Sequence, residues 1–295
     1  MRRALVLGLA IGLGLALVAL GIAGEVLSRA AKSTVGAPPP DLQAVSVTVP
    51  TAPGGTVAGW LVRGMPGMGA VLLLHGVQAD RRAMLGRARL LQGAGYSVLL
   101  VDLPAHGEST GTRIGFGLRE AAGVHAAMAY LRQALPGERI GVIGVSLGAA
   151  ALVFSRVAPA PDAVVLESMY PTIAEAAGNR LGMRLGAAGT VLAPLLLWQL
   201  PLGLGATAGQ LRPIENMSAL HAPVLVASGT RDQHTTWAET QRIFQAANEP
   251  KELWAVDGAA HVDLHAFNPG AYASRVLPFL SAYLRHRAAP STPAR

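Results

Sequence analysis

The stretch that decides the fold reads IGVIGVSLG and covers residues 140–148. It begins as an apolar run of strand length and leads into an alanine-rich segment with a helical pattern. Gly144 and Gly148 flank Ser146 in the spacing Gly-x-Ser-x-Gly. Between a strand and a helix, this spacing predicts a tight turn that lifts the serine side chain off the edge of a sheet. Free N–H groups at the start of the helix suit a developing oxyanion, so we predict that Ser146 is a nucleophile.

Apolar runs of strand length alternate with helical patterns on both sides of this stretch. The predicted strands cover residues 45–49, 56–62, 70–74, 97–101, 139–145, 163–166, 224–228 and 252–256. The predicted helices cover residues 81–92, 118–135, 237–247 and 271–286, with a further helix from residue 147. Such alternation indicates βαβ units, and therefore an α/β fold with a mostly parallel, doubly wound sheet of about eight strands.

The alternation stops between Ser168 and His221, where about 50 residues carry no strand pattern. Ordinary connections between elements have about 2–6 residues. We interpret residues 169–220 as a helical cap over the carboxyl edge of the sheet. A second membrane span is the alternative for the apolar run at 191–198, but that run is short and prolines interrupt it.

A serine hydroxyl is a poor nucleophile without a base. In a doubly wound sheet with this kind of turn, an acid follows a later strand and a histidine follows the last one. Asp232 comes after the strand predicted at 224–228, and His261 comes after the strand predicted at 252–256. We predict that His261 takes the proton from Ser146 and that Asp232 orients His261.

Other residues compete for these two roles. Asp257 and Asp263 are nearer to His261 in sequence, but neither sits at a strand end with a loop that reaches across. His265 is the rival to His261, and the pair also has the one-face helical spacing of two metal ligands. No glutamate base stands between them as in zinc proteases, so we expect no metal site.

The chain must also turn after the strand predicted at 70–74. Val77 is the candidate donor of one backbone N–H to the oxyanion, and Leu147 is the candidate for the other. We expect His75 to pack at the strand end and to bond backbone groups, and Asp102, His106 and Glu108 to stabilise a loop.

The N-terminal segment is uncharged and apolar from Ala4 to Gly24, after two arginines. About 21 residues are enough to span the ~30 Å hydrocarbon layer of a bilayer as a helix. We therefore favour an uncleaved membrane anchor over residues 1–25, and a proline-containing linker over residues 26–44. A cleaved signal peptide is the alternative, although the region at 27–31 is a poor cleavage site. The catalytic domain is then extracytoplasmic, either anchored in the membrane or secreted or periplasmic.

Composition limits the remaining possibilities. The chain has 295 residues, of which 51% are hydrophobic and 14% charged, which argues against disorder. It has no cysteine, which excludes disulfides, cysteine zinc sites and thiol nucleophiles. The net charge of +7 comes from scattered arginines without interleaved aromatic residues, so nucleic-acid binding is not expected. We place the catalytic domain at residues 45–288 and expect a disordered tail at 289–295.

Five successive motifs resemble those of the α/β-hydrolase superfamily. They lie at residues 74–76, 102–109, 144–148, 229–232 and 258–261. The chain is similar to bacterial membrane-anchored members near the serine aminopeptidase and monoacylglycerol-lipase-like group, over about residues 45–285. The resemblance implies a triad of Ser146, Asp232 and His261, an oxyanion hole at Val77 and Leu147, and no cofactor.

These features predict a hydrolase that cleaves a small-molecule carboxylic ester through an acyl-enzyme. The apolar cap and the anchor favour a lipophilic acyl or aryl ester. A thioesterase or a serine aminopeptidase with the same triad is the first alternative. The alternative of another class is a non-catalytic, membrane-tethered binding protein on a hydrolase fold.

Overall fold

The computed structural model describes residues 11–12, 14, 18, 20–52 and 54–285. The predicted tail at 289–295 lies outside the described residues. Most of the predicted anchor at 1–25 lies outside them as well.

One sheet of eight strands forms the centre of the described structure. Its strands are β1 (Val45–Thr51), β2 (Gly55–Val62), β3 (Ala70–Leu74), β4 (Ser97–Val101), β5 (Ile140–Val145), β6 (Ala163–Glu167), β7 (Val224–Gly229) and β8 (Lys251–Val256). Their order is β8-β7-β6-β5-β3-β4-β2-β1. Strands β1 and β2 pair antiparallel, as do β2 and β4, and all the other pairs are parallel. The predicted α/β class and mostly parallel sheet of about eight strands are therefore confirmed.

Helices connect these strands. They are α1 (Leu85–Gly93), α2 (Ala121–Ala134), α3 (Leu147–Ser155), α4 (Ile173–Leu185), α5 (Ala187–Trp198), α6 (Leu200–Leu204), α7 (Trp237–Ala246), α8 (Leu264–Phe267) and α9 (Pro269–Leu284). The helix predicted from residue 118 begins at Ala121 instead. The Glu120 carboxylate accepts the N–H groups of Gly115 and Gly117 at 2.7 Å each, which holds the preceding residues in a turn.

The central strands are buried on both faces, as their continuous apolar runs predict. Leu72 of β3 packs in a cluster with residues of α2 and α3, such as Val124. Its neighbour Leu73 points to the other face, into a cluster with Leu91 of α1 and Leu280 of α9. Each such leucine contributes roughly 1.5–3 kcal/mol by its burial, so the two layers hold the sheet edge in a fixed position.

Helices α4, α5 and α6 fill the region between β6 and β7 that was interpreted as a cap. Within the described part of the chain, Ala187–Leu204 is long and apolar enough to cross a membrane, with a mean hydropathy of 1.5. One third of that window is buried against the protein. Trp198 is 72% exposed and Leu202 is 84% exposed, so the outer surface of the cap is apolar.

The end of the predicted anchor and the first part of the predicted linker lie along the domain that contains the sheet. Residues 20–28 are helical, and Ala31–Lys32 pairs in parallel with His106–Gly107. The N–H of Ile114 donates to the carbonyl of Ser28 at 2.8 Å. The carboxylate of Glu108 accepts the backbone N–H groups of Val35 and Gly36 at 3.0 Å each. We call residues 20–36 the N-terminal strap.

Candidate active site

Ser146 lies between the end of β5 and the start of α3, 4% exposed. Its backbone has φ 49° and ψ −104°, a conformation that L-residues rarely adopt. Its N–H donates to the carbonyl of Glu167 at 2.8 Å, and its carbonyl accepts from the N–H of Ala150 at 3.1 Å. Strained backbone of this kind is characteristic of functional turns, and here it separates the serine from the strand.

The two glycines around Ser146 are required by close backbone contacts. A Cβ atom at Gly144 would lie 2.7 Å from the backbone of Ala149. A Cβ atom at Gly148 would lie 2.5 Å from the carbonyl oxygen of Leu74. Both distances are shorter than a carbon can tolerate, so the Gly-x-Ser-x-Gly spacing is what lets α3 pack against β5 and β3.

Asp232 and His261 meet at the same edge of the sheet. Asp232 follows β7 and His261 follows β8, and Nδ1 of the histidine lies 2.7 Å from Oδ2 of the aspartate. The other carboxylate oxygen accepts the N–H groups of His234 and Thr235 at 2.8 and 2.9 Å. An acceptor at Nδ1 places the ring proton there and leaves Nε2 free to accept a proton.

The charge on Asp232 is stabilised by these partners. Burial alone would raise the pKa of the carboxyl group. The hydrogen bond and charge of His261 and the two backbone N–H donors outweigh that effect, so the pKa lies below its ordinary value. A carboxylate that stays ionised can stabilise an imidazolium beside it.

The competing acids and the rival histidine have other partners. Asp257 accepts from the Thr230 hydroxyl at 3.3 Å. Asp263 caps α8 and lies 2.8 Å from the guanidinium of Arg87. His265 packs edge-on against Tyr272, with ring centroids 5.2 Å apart.

A cavity of about 650 Å³ lies between the sheet edge, the cap and the N-terminal strap. Ser146 lines it, and so do Val77 and Leu147, the two predicted oxyanion donors. Gly76 is next to the serine, because a Cβ atom there would lie 3.9 Å from the Cβ atom of Ser146. The loop after β3 and the start of α3 therefore meet at the serine.

His75 is buried at the end of β3. Its Nδ1 lies 2.7 Å from the carbonyl of Gly76, and its Nε2 accepts the N–H of Leu103 at 3.0 Å. Burial lowers the pKa of His75 to about 3, so the ring is neutral. Such a ring holds two loops together, as expected for a histidine that bonds backbone groups.

His234 is a site residue that the sequence analysis did not identify. Its ring stacks on that of His261, with centroids 4.8 Å apart and planes 18° apart, and it lines the cavity. Burial and the charge of Arg180 lower the pKa of His234, which favours a neutral ring beside His261. Its position two residues after Asp232 was the only available signal.

Two buried ion-pair clusters support the edge of the sheet. Arg87 of α1 bonds the Glu167 carboxylate at 3.1 and 2.5 Å, and Glu167 also accepts from the Tyr272 hydroxyl at 2.5 Å. Arg81 bonds the carboxylates of Asp102 and Glu108. Asp102 and Glu108 thus stabilise the loop between them, as predicted. The sequence analysis did not predict their arginine partner.

Comparisons with known proteins agree with this geometry. A sequence model of the family described as alpha/beta hydrolase fold matches residues 69–164. The uncharacterized protein Rv2307c of Mycobacterium tuberculosis is 33% identical over 221 residues, which are 74% of this chain and 72% of that protein. The uncharacterized protein YqkD of Bacillus subtilis is 23% identical over 243 residues, or 81% of this chain and 80% of that protein.

Solved structures share the fold. The Pyrococcus furiosus esterase Pf2001 superposes with a TM-score of 0.72 at 24% identity, covering 86% of this chain and 97% of that one. An esterase from Exiguobacterium antarcticum has a TM-score of 0.59 at 14% identity, covering 80% of this chain and 99% of that one. From the sheet order, the turn at Ser146 and these matches, we conclude that the chain belongs to the α/β-hydrolase superfamily.

Proposed function

We propose that the protein is a serine hydrolase that cleaves a carboxylic ester through an acyl-enzyme on Ser146. The observation that carries the proposal is the 2.7 Å contact between His261 and the buried Asp232, at the sheet edge that also presents Ser146. The esterases that share the fold are consistent with it.

In the proposed reaction, Nε2 of His261 takes the proton of Ser146 as the serine Oγ attacks the ester carbonyl carbon. The carbonyl oxygen becomes an oxyanion, which the N–H groups of Val77 and Leu147 stabilise. The imidazolium, held by Asp232, then protonates the leaving alcohol as the ester bond breaks. Water attacks the acyl-enzyme with His261 as base, and the carboxylic acid leaves.

The cavity supports a small-molecule acyl substrate. Its wall includes apolar side chains from three parts of the chain, among them Phe116, Ile173 and Leu197. A volume of about 650 Å³ is within the usual range for small-molecule sites.

The aminopeptidase alternative has less support than the ester or thioester alternatives. A pocket for a substrate amine needs an unpaired carboxylate. Among the described residues that line the cavity, Glu25 is the one carboxylate, and it pairs with Arg113 at 2.6 Å. A thioesterase would use the same triad on a similar apolar acyl group.

Active-site labelling tests the proposal. We expect a fluorophosphonate probe to label the full-length protein in detergent, and Ser146→Ala to abolish both labelling and ester hydrolysis. Ser155→Ala, at the buried end of the same helix α3, is the matched control and should keep both. An unlabelled, folded wild-type protein, or an active Ser146→Ala variant, would refute the proposal, and a parallel thioester assay separates the two acyl chemistries.

We also propose that residues 1–25 anchor the protein in a membrane, with the catalytic domain on the extracytoplasmic side. The strap reaches the apolar cap, where the side-chain amide of Gln199 donates to the carbonyl of Leu20 at 2.8 Å. The exposed Trp198 and Leu202 lie on that cap. Fractionation tests this proposal: the full chain should stay with membranes after a carbonate wash and be cleaved by protease added outside, and a soluble periplasmic form would indicate signal cleavage instead.

A further inference from the structure

Two arginines of the cap differ from the buried arginines of the sheet edge. Arg180 lies on α4, and its guanidinium donates to the carbonyl of Ala176 in the same helix at 3.1 Å. Neither Arg180 nor Arg184, one turn further, forms a salt bridge within the described part of the chain. Both line the cavity that contains Ser146.

Arg180 is partly buried in the wall of the cavity that contains Ser146. Burial lowers the pKa of Arg180, and the charges of Tyr170 and Asp232 act in the opposite direction. Arg180 and Arg184 also both lower the pKa of His234, which stacks on the catalytic histidine. A partly buried cation without a carboxylate in salt-bridge contact is unfavourable, because it loses hydration. The charge of Asp232 offsets this loss only in part, since the pKa of Arg180 remains lowered. The carboxylate of Glu25 cannot serve, since it already pairs with Arg113.

We infer that Arg180, assisted by Arg184, binds a carboxylate or phosphate group of the substrate. This inference rests on the proposed function and narrows it, because the substrate becomes an ester with an anionic arm. The apolar part of the ester would pack on Phe116 and Leu197, while the arm reaches α4. Guanidinium groups suit both anions, since their parallel N–H donors match two oxygens at once.

The other role that Arg180 could have is support of Asp232 through its charge alone. In that case its loss would slow neutral and anionic esters by the same factor. If Arg180 binds the substrate, its loss instead changes the ratio of kcat/KM between anionic and neutral esters, because KM rises for the anionic ester.

Two matched pairs of esters test the inference in the full-length protein. Mono-4-nitrophenyl glutarate and 4-nitrophenyl butyrate differ by a carboxylate on the acyl side, and 1-butyrylglycerol 3-phosphate and 1-butyrylglycerol differ by a phosphate on the alcohol side. We expect kcat/KM to favour the anionic member of one pair by about tenfold or more. Arg180→Gln should abolish the preference by raising KM, and Arg180→Lys should retain part of it.

Arg63→Gln is the matched control, since Arg63 also bonds a single backbone carbonyl and lies outside the cavity. It should leave both ratios unchanged. The inference is wrong if neither pair shows an anionic preference, or if Arg180→Gln slows both members equally. Whichever pair shows the preference identifies the side of the ester that carries the charge.

A binding measurement separates this inference from the proposed function. Calorimetry of the Ser146→Ala variant with monomethyl glutarate and with inorganic phosphate needs no turnover. We expect one of these anions to bind, and we expect the additional Arg180→Gln change to weaken that binding about tenfold or more. Such a result supports the anion site even if no ester is cleaved. Equal binding with and without Arg180 would overturn it, whatever the enzyme assays show.

Discussion

The sheet edge and the cap hold their charged side chains differently. At the sheet edge, Arg81 and Arg87 are almost fully buried, and each bonds two carboxylates. In the cap, Arg180 and Arg184 line the cavity and form no salt bridge with a described residue, and the outer surface is apolar. The sheet edge is thus fixed by interactions within the protein, whereas we infer that the charges of the cap bind a ligand.

We propose separate tasks for these two regions. The backbone carbonyl of Glu167, whose side chain belongs to one of the buried pairs, accepts the N–H of Ser146. The cap lies outside these pairs, and we propose that it selects the substrate.

The largest effect is expected at the sheet edge itself. Asp232→Asn should lower kcat for a short-chain ester by about 10⁴-fold, because an amide no longer enforces the proton on Nδ1 of His261. Asp257→Asn, which changes a nearby acid that accepts from the Thr230 hydroxyl, should leave kcat close to the wild-type value. Similar losses in the two variants would contradict the assignment of the acid.

A second change compares a buried and an exposed ion pair on one helix. Arg87→Met leaves Glu167 buried without its cation and should lower the free energy of unfolding by about 3–5 kcal/mol. Arg89→Met breaks the exposed pair with Asp41 and should cost at most about 1 kcal/mol. Urea titrations of both variants measure the difference, and equal losses would mean that the sheet-edge cluster does not stabilise the fold.

The pH dependence of stability tests the neutral His75. In the unfolded chain this histidine takes up a proton near its ordinary pKa of 6.5, whereas in the folded protein it does so only near about 3. The unfolded state therefore binds more protons between these values, and the free energy of unfolding falls as the pH drops through that window. His75→Asn should be less stable than wild type at neutral pH, with the two stabilities converging towards about pH 4. Parallel pH curves would show that His75 does not contribute.

The smallest effect is expected on the outer surface of the cap. Trp198→Ser should change the free energy of unfolding by about 0.5 kcal/mol or less, because the side chain is 72% exposed. Leu200→Ala, two residues on but buried, should cost about 2 kcal/mol or more. Thermal melts in detergent check both values, and a large loss at Trp198 would indicate that the cap surface packs on another part of the protein.

The sequence predicted the residues at the strand ends better than the ion pairs and the strap that pack around them. Strands β3 to β7 are short apolar runs with side chains buried on both faces, whereas β8 is a mostly half-buried edge strand. The candidate site residues follow the carboxyl ends of three of these strands. For that reason Ser146, Asp232 and His261 could be named from strand ends and chain order alone, and the structure brings the last two into contact.

The ion pairs and the strap depend on contacts between residues that are far apart in the sequence, and no local sequence pattern predicts such contacts. Arg87 and Glu167 are 80 positions apart, and each alone looks like an ordinary surface charge. The strap was also missed, because a two-residue pairing such as Ala31–Lys32 with His106–Gly107 is too short to leave a strand pattern. The sequence shows which residues of α4 are charged, but it does not show which of them face the cavity.

The strap limits how far the domain can move relative to the N-terminal segment. A flexible linker of about 20 residues would let the domain move over roughly 25 Å above a membrane. Here Ala31–Lys32 is hydrogen-bonded to the domain, and Ser28 is bonded to Ile114, so no such freedom exists after residue 28. If residues 1–25 anchor the protein in a bilayer as we propose, the strap should keep the cavity mouth close to the lipid surface. We then expect a lipophilic ester to arrive by lateral diffusion, at a rate that follows its density in the bilayer plane instead of its concentration in the surrounding water.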